Sequence, residues 1–84
     1  MQLHVKPKIT IRYNEQYKLI IIYGNLPYRF LKPYVERLTP KPRWLSVLNE
    51  WRIEVKDAEN IESVVESLKQ QLEQTVEVRV VKEI

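Results

Sequence analysis

The segment RWLSVLNEWR, residues 43–52, constrains the fold more than any other part of this chain because it predicts a β-hairpin. Asn49-Glu50 suits a tight turn, and the runs on either side of it are rich in aromatic and β-branched residues. Strands that pair around this turn place Leu48 opposite Trp51. The hairpin is the element on which the other predictions of fold and function depend.

The predicted hairpin has a tryptophan face and an arginine face. Side chains alternate along a strand, so Trp44 and Trp51 share one face of the sheet while Arg43 and Arg52 share the other. A shift of one residue in the register would exchange the two faces. The sequence therefore leaves two alternatives open: both indoles are core side chains, or one of them lies on an exposed face.

A second antiparallel hairpin is predicted near the N-terminus. Residues 8–13 alternate between polar and apolar side chains, which is the period of a half-buried strand. Residues 14–16 supply a turn, and residues 17–23 form a nearly continuous β-forming run. Such a run predicts a central strand that is covered on both faces.

Two helices and a last strand complete the predicted order. Pro27 can occupy the first turn of a helix, whereas Pro33 either kinks that helix or delays its regular part to about Lys32. Asp57 is a suitable N-cap for a second helix, and residues 75–81 alternate as a final strand. The apolar residues of the second helix recur on one face, at Ile61, Val64, Val65, Leu68 and Leu72.

This order predicts an α+β fold, with one small domain over residues 1–84 and the element order β-β-α-β-β-α-β. A chain of 84 residues can build only one core. We expect a mostly antiparallel sheet with both helices packed on one face. The opposite face of the sheet is then open, and small nucleic-acid-binding domains can carry aromatic and basic residues on such a face.

Charge is distributed unevenly along the chain. Up to residue 56 there are eleven lysines and arginines against four glutamates, a net charge of +7. From residue 57 onward there are three basic residues against seven acidic ones, a net charge of −4. If the two parts form different surfaces, one surface would attract a polyanion and the other would repel it.

The composition argues against an enzyme and against a metal or cofactor site. The chain has no cysteine, one histidine (His4) and one glycine (Gly24). Nucleophilic triads, typical zinc sites and glycine-rich phosphate loops need more of these residues. The glutamates at positions 59, 62 and 66 are typical of a solvated helix face. We therefore expect no catalytic residue, no metal and no cofactor.

The cellular compartment is predicted from whether the sequence contains a signal peptide or a membrane-spanning run. The N-terminus lacks the apolar stretch of a signal peptide, and the longest aliphatic run, residues 19–22, is too short to span a membrane. A cytoplasmic protein with no membrane partner is expected. Abundant Lys, Arg, Glu, Ile and Val, with a single glycine, favour a thermophilic source.

The segment PRWLSVLNEWRIEVKDAENIESVVESL, residues 42–68, resembles the HARP domain found beside certain annealing helicases. In that domain a hairpin with basic residues and two tryptophans runs into a helix. The order of hairpin, short helix, tryptophan-containing hairpin and helix over residues 8–72 is also similar, more loosely, to the damage-recognition domain that precedes XPB-type helicases. The resemblance implies binding to single-stranded or branched DNA.

We therefore expect a small DNA-binding module with weak sequence preference, acting alone or as an accessory to a helicase or nuclease. Basic residues would contact phosphates and one tryptophan would stack on a base. The alternative is a protein-interaction module of a plasmid, virus or archaeal complex, which pairs through the hairpin edge or the final strand with a partner or with itself as a homodimer. The predicted nucleic-acid-binding residues are Lys8, Arg12, Lys18, Lys41, Arg43, Trp44, Trp51 and Arg52.

Overall fold

The predicted α+β order is confirmed by the computed structural model, which describes residues 7–83 as five strands and two α-helices. A short 3-10 turn, Ala58–Asn60, precedes the second helix. In chain order the elements are β1 (Lys8–Asn14), β2 (Leu19–Gly24), α1 (Tyr28–Val35), β3 (Arg43–Leu45), β4 (Glu50–Glu54), α2 (Ile61–Glu73) and β5 (Glu77–Glu83).

The five strands form one mixed sheet in the order β3-β4-β2-β1-β5. Three neighbouring pairs are antiparallel, and only β1 and β5 are parallel, so the expectation of a mostly antiparallel sheet is confirmed. The central strand is β2. Because β5 lies beside β1, the acidic C-terminal part of the chain is next to the basic N-terminal part.

The core lies on one face of the sheet, beneath both helices. Ile9 and Ile11 of β1 and Ile20 and Ile22 of β2 are fully buried, and the register places Ile11 opposite Ile22. Burying one such aliphatic side chain stabilises a fold by about 1.5–3 kcal/mol. The helices complete the same cluster with Leu31 and Val35 from α1 and Ile61, Val65, Leu68 and Leu72 from α2.

The prediction that residues 17–23 form a strand covered on both faces is wrong. The strand begins at Leu19, and only Ile20 and Ile22 are buried. Ile21 is half-buried and Tyr23 is 36% exposed, because both helices lie on the other side of the sheet. A continuous β-forming run thus marked the central position of β2 but not the number of its covered faces.

The predicted register of the tryptophan hairpin is also wrong. Trp44, not Leu48, lies opposite Trp51, and residues 46–49 form a four-residue loop. Two backbone bonds close this loop, and Asn49 ends it with a φ of 54°, which asparagine tolerates. The register differs from the predicted one by an even number of residues, so the two faces of the hairpin keep their predicted composition.

Both helix starts differ in detail from the predictions. Helix α1 begins at Tyr28 and continues past Pro33 to Val35. The Pro27 carbonyl accepts a bond from the Phe30 N–H at 3.0 Å. The Asp57 carboxylate accepts a bond from the Glu59 N–H at 3.0 Å. It therefore caps the 3-10 turn that leads into α2, and the α-helix itself begins at Ile61.

The single glycine lets α1 approach the sheet closely. A Cβ atom at Gly24 would lie 2.8 Å from Cδ1 of Leu31 and 2.8 Å from the Lys8 carbonyl oxygen. The leucine can rotate, but a paired backbone carbonyl cannot move without disturbing the strand. Gly24 is therefore a packing requirement of the contact between α1 and the end of β2.

An aromatic cluster holds α1 against the hairpin. The Tyr28 ring centroid lies 4.4 Å from that of Trp44 and 5.4 Å from that of Trp51, and the two indole centroids are 4.5 Å apart. Trp51 is 3% exposed, whereas Trp44 is half-buried. Both tryptophans therefore lie on the core side of the sheet, and the arginines of the hairpin lie on the other side.

Replacing Trp51 by alanine should lower the free energy of unfolding by about 3–5 kcal/mol, because it opens a cavity beneath Tyr28 and Trp44. Urea denaturation followed by far-UV circular dichroism measures this loss. Val47→Ala is the matched control in the same hairpin, since Val47 is 94% exposed and its truncation should change stability by less than about 0.5 kcal/mol. Equal stabilities of the two variants would contradict this account of the hairpin.

Candidate nucleic-acid interface

The sheet face opposite the helices, called the open face below, is built by alternate residues of all five strands. Its composition follows from the register, because paired residues of neighbouring strands point to the same side. It carries basic, acidic and apolar side chains together. From β3 to β5 the residues are Arg43, Leu45, Glu50, Arg52, Glu54, Leu19, Ile21, Tyr23, Lys8, Thr10, Arg12, Glu77, Arg79, Val81 and Glu83.

Three arginines lie in one row across the open face. The register places Arg43 opposite Arg52, Arg52 opposite Ile21 and Ile21 opposite Arg12. Neighbouring strands are about 4.8 Å apart, so the Arg12 Cα lies roughly 10 Å from that of Arg52. Arg43 and Arg52 are direct cross-strand neighbours of like charge, an arrangement that destabilises a sheet.

A cleft at the β3 end of this row is lined by three of the predicted binding residues. Lys41, Arg43 and Arg52 line a cleft of about 470 Å³, called the Arg43 cleft below. Its remaining lining comes from Pro40, Leu45, Ile53 and Glu54. The surface thus combines three cations with one carboxylate.

Helix α2 holds the connector that carries Lys41. The Gln71 side chain accepts a bond from the Thr39 N–H at 3.0 Å and donates one to the Thr39 carbonyl at 2.9 Å. With these two bonds the Gln71 side chain pairs with the backbone N–H and carbonyl of Thr39, as a neighbouring strand would. Lys41 follows two residues later, so the α2 contact restrains the backbone that leads to it.

Ion pairs distinguish the cations of the open face. Arg52 Nε donates to Glu50 Oε2 at 2.8 Å, and Arg12 forms an ion pair with Glu83. Lys8 Nζ lies 3.9 Å from Glu77 Oε1. Within the described part of the chain no ion pair involves Lys41 or Arg43. The Arg43 cleft therefore keeps two cations without an ion pair in the described residues, whereas Lys8 and Arg12 of β1 are paired with glutamates of β5.

The remaining basic residues of the predicted site divide between the two ends of the sheet. Lys18 lies in the β1–β2 turn with a φ of 53°, and its carbonyl accepts the Val55 N–H at 2.9 Å. This is the end of the sheet at which Glu54 lines the Arg43 cleft. Lys8 begins β1 at the opposite end, beside Asn25, so the structure does not bring it to the cleft.

The predicted tryptophans are not on the open face. Trp51 is 3% exposed, and the half-buried Trp44 packs against both Trp51 and Tyr28 on the helix side of the sheet. Neither indole can therefore stack on a base that lies on the open face. The two indoles lie on the core side of the sheet, and the arginines of the hairpin lie on the open face.

Tyr23 is an exposed aromatic side chain of the open face that the sequence reasoning missed. It lines a depression of about 300 Å³ together with Ile21, Arg12 and Leu48 of the hairpin loop. A strand β2 covered on both faces, as the sequence predicted, would leave Tyr23 no exposed face. Its alternation with the buried Ile20 and Ile22 was the signal that could have identified it.

A separate charged cluster links α2 to β5 and to the β1–β2 turn. Lys82 Nζ lies 3.1 Å from Glu15 Oε1 and 3.2 Å from Glu62 Oε1. The hydrogen bond from Lys82 lowers the pKa of the Glu62 carboxyl, and burial raises the pKa of the neighbouring Tyr13 phenol. The lysine and the two glutamates pair with one another, which is typical of a contact that stabilises the fold.

Residues 7–83 contain neither a metal-binding cluster nor a helix that could span a membrane. No group of three histidine, aspartate or glutamate side chains there could hold a metal ion. His4 lies outside the described residues. Across the same residues, no helix has the length and apolar character to cross a bilayer.

Comparisons of this chain with protein-family models, with curated proteins and with solved structures found no match. The resemblance of residues 42–68 to the HARP domain therefore stays a prediction. The functional hypothesis rests on the geometry of the open face and on that resemblance.

Acid should remove the stabilising contribution of Glu62. The folded-state pKa of Glu62 is lowered from its ordinary value of 4.5, so this contribution is present above 4.5 and is lost as the pH falls through the folded-state value. The stability advantage of the wild type over Glu62→Gln should thus shrink between about pH 7 and pH 3, measured from urea midpoints. Glu59→Gln is the control, because Glu59 has no ion pair among the described residues. A difference that is independent of pH would contradict the role of Glu62.

Proposed function

We propose that this chain is a small nucleic-acid-binding module that holds single-stranded or branched DNA against the open face, alone or as an accessory to a helicase or nuclease. The observation that carries the proposal is the direct opposition of Arg43 and Arg52 in a cleft shared with Lys41. Like charges placed opposite each other cost the fold stability. A backbone phosphate carries one negative charge, so a phosphate bound between the two guanidinium groups would reduce that cost.

Phosphate recognition would be centred on Arg43. Guanidinium groups make paired, charge-assisted hydrogen bonds to phosphate oxygens. The bond from Arg52 Nε to Glu50 restrains the Arg52 side chain, while Arg43 has no ion pair among the described residues. One backbone phosphate between Arg43 and Arg52, with Lys41 beside it, satisfies the chemistry of the cleft.

Base stacking is assigned to Tyr23 rather than to Trp44 or Trp51. Tyr23 is 36% exposed and lies on the same face as the arginine row, with Ile21 between Arg52 and Arg12. A strand whose phosphate occupies the Arg43 cleft can extend over β2 and place a base on the phenol ring. Stacking of this kind contributes about 1–3 kcal/mol per base and tolerates any base.

The form of the nucleic acid follows from the contacts that the open face offers. Duplex sequence is read by side chains that enter a groove, whereas an open sheet face with one exposed ring and a short row of cations suits an unpaired strand. Contacts to phosphates and ring faces carry little sequence information, which accounts for the weak sequence preference. The preference for DNA over RNA rests on the resemblance to the HARP domain.

Arg43→Ala should flatten the dependence of log affinity on log salt concentration by about 0.7, the contribution of one phosphate contact to a single strand. The measurement is fluorescence anisotropy of a labelled oligothymidine titrated with protein at several salt concentrations. An external label is needed because the indoles of the protein lie in the core. Arg43→Lys keeps the charge and should retain most of the slope.

Arg29→Ala is the matched control for this experiment. It removes the same charge from α1, where the Arg29 guanidinium lies 4.8 Å from the Phe30 ring centroid on the helix side of the molecule. Equal slopes for Arg43→Ala and the wild type, or equal losses in Arg43→Ala and Arg29→Ala, would remove the cleft from the proposal. Complete absence of binding to single-stranded, forked and duplex DNA would overturn the proposed function itself.

Tyr23→Ala should weaken binding of the same oligonucleotide by about 5- to 150-fold without changing the salt dependence, because it removes a stacked base and no phosphate contact. Tyr23→Phe should bind as the wild type does, since stacking needs the ring and not the hydroxyl. Tyr17→Ala is the control, as Tyr17 is 72% exposed in the β1–β2 turn. An unchanged affinity for Tyr23→Ala would exclude stacking on this residue.

A further inference from the structure

The outer edge of β5 is the longest unpaired strand edge in the described part of the chain. Strand β5 has seven residues and is hydrogen-bonded to β1 on one side only, whereas the opposite edge strand, β3, has three residues. Val80 is 38% exposed on one face of β5, and Val81 is half-buried on the other. An edge of this kind can accept a further strand.

We propose that this edge pairs with β5 of a second copy of the chain, antiparallel about a two-fold axis at Val81. A two-fold axis perpendicular to the sheet keeps both helical layers on one side, so each residue must pair with a residue of the same face. The chemistry of β5 then selects among the few registers that remain. The proposal does not rest on nucleic-acid binding, which uses the far edge of the sheet.

Charge complementarity singles out the register centred on Val81. In that register Arg79 of one copy lies opposite Glu83 of the other, twice, with a Val81 pair between them, and Val80 lies opposite Lys82. Centring on Val80 instead places Glu77 opposite Glu83, and centring on Arg79 places that arginine opposite its own copy. Like charges in direct opposition are unfavourable, and opposite charges contribute about 0.2–1 kcal/mol per pair.

One other register also matches charges but retains less of the strand. Centring on Val78 pairs Glu77 with Arg79, yet it leaves three residues of β5 paired, whereas the register centred on Val81 pairs residues 79–83. Arg79 has no ion pair within the described part of the chain, so Glu83 of the second copy, which also pairs with Arg12 of its own copy, would be its first partner. Charges usually protect an edge strand from association, but here they are complementary to a second copy.

The resulting dimer would have a continuous ten-stranded sheet. The row of Arg43, Arg52, Ile21, Arg12 and Val81 would continue directly into the same row of the second copy. The two Arg43 clefts would lie at opposite ends of one open face, with Arg43 Cα atoms roughly 43 Å apart at nine strand spacings. A five-residue ladder is a small interface, so the association should be weak and concentration-dependent.

Cysteine cross-linking tests both the dimer and its register, because the chain has no cysteine of its own. Directly opposed residues in an antiparallel pair have Cα atoms about 4.5–5.5 Å apart, within the range that a disulfide spans. Val81→Cys should therefore form a disulfide-linked dimer under mild oxidation. Val47→Cys, at a position that is 94% exposed, measures the rate of random collision.

The expected result is at least a tenfold faster cross-link for Val81→Cys than for Val47→Cys, together with a mass that rises with concentration in sedimentation of the wild type. A faster reaction of Arg79→Cys or Val80→Cys than of Val81→Cys would overturn the register. Equal rates at positions 47 and 81, with a wild type that stays monomeric up to millimolar concentration, would overturn the dimer.

A charge-reversal variant without a cysteine gives an independent readout. Arg79→Glu places two glutamate pairs in the proposed interface and should shift the wild-type monomer–dimer equilibrium to monomer, whereas Arg29→Glu on α1 should not. Circular dichroism checks that both variants are folded. Dimerisation that survives Arg79→Glu would contradict the proposal. Neither experiment uses nucleic acid, so failure of this proposal is distinguishable from failure of the proposed function.

Discussion

The pairing of Trp44 with Trp51 beneath Tyr28 is the contact on which the rest of the structure depends. Three rings with centroids 4.4–5.4 Å apart commit one face of the hairpin to the core. Because side chains alternate along each strand, this burial obliges Arg43 and Arg52 to face the other way and to oppose each other. The aromatic cluster thus creates the cationic cleft without belonging to it.

The parallel pairing of β1 with β5 determines how charge is distributed on the open face. Along the sequence the basic and acidic parts of the chain are separate, but β5 places Glu77 beside Lys8 and Glu83 beside Arg12. The predicted separation into one basic and one acidic surface is therefore lost on β1. Positive charge without a described partner persists at the opposite edge, where Lys41 and Arg43 line the cleft.

The elements that were predictable from sequence are those specified by local periodicity. The apolar spacing of α2 and the alternation in β1 mark their buried faces because a helix has 3.6 residues per turn and a strand has two. The register of β3 with β4 was not predictable in the same way, because the loop at residues 46–49 depends on Asn49 adopting a positive φ. The positive φ of Asn49 cannot be inferred from the residue types of the loop or of the strands alone.

The candidate site was less predictable than the fold because it depends on contacts between residues distant in sequence. The arginines of the hairpin could be identified by residue type and spacing. The sequence allowed either the tryptophan face or the arginine face of the hairpin to be exposed, and the structure places the arginines on the open face. The neutralisation of Arg12 by Glu83 and the exposure of Tyr23 depend on strand order and on which face the helices cover. Those are properties of the assembled sheet.

The central claim, that a single nucleic-acid strand lies on the open face, is tested most directly by NMR mapping. Titration of ¹⁵N-labelled protein with a short oligothymidine should shift the backbone amides of β3, β4 and β2 and the side-chain Nε resonances of Arg43 and Arg52. The amides of α2, on the other side of the sheet, should stay in place. Shifts confined to the helices, or no shifts at saturating oligonucleotide, would contradict the account.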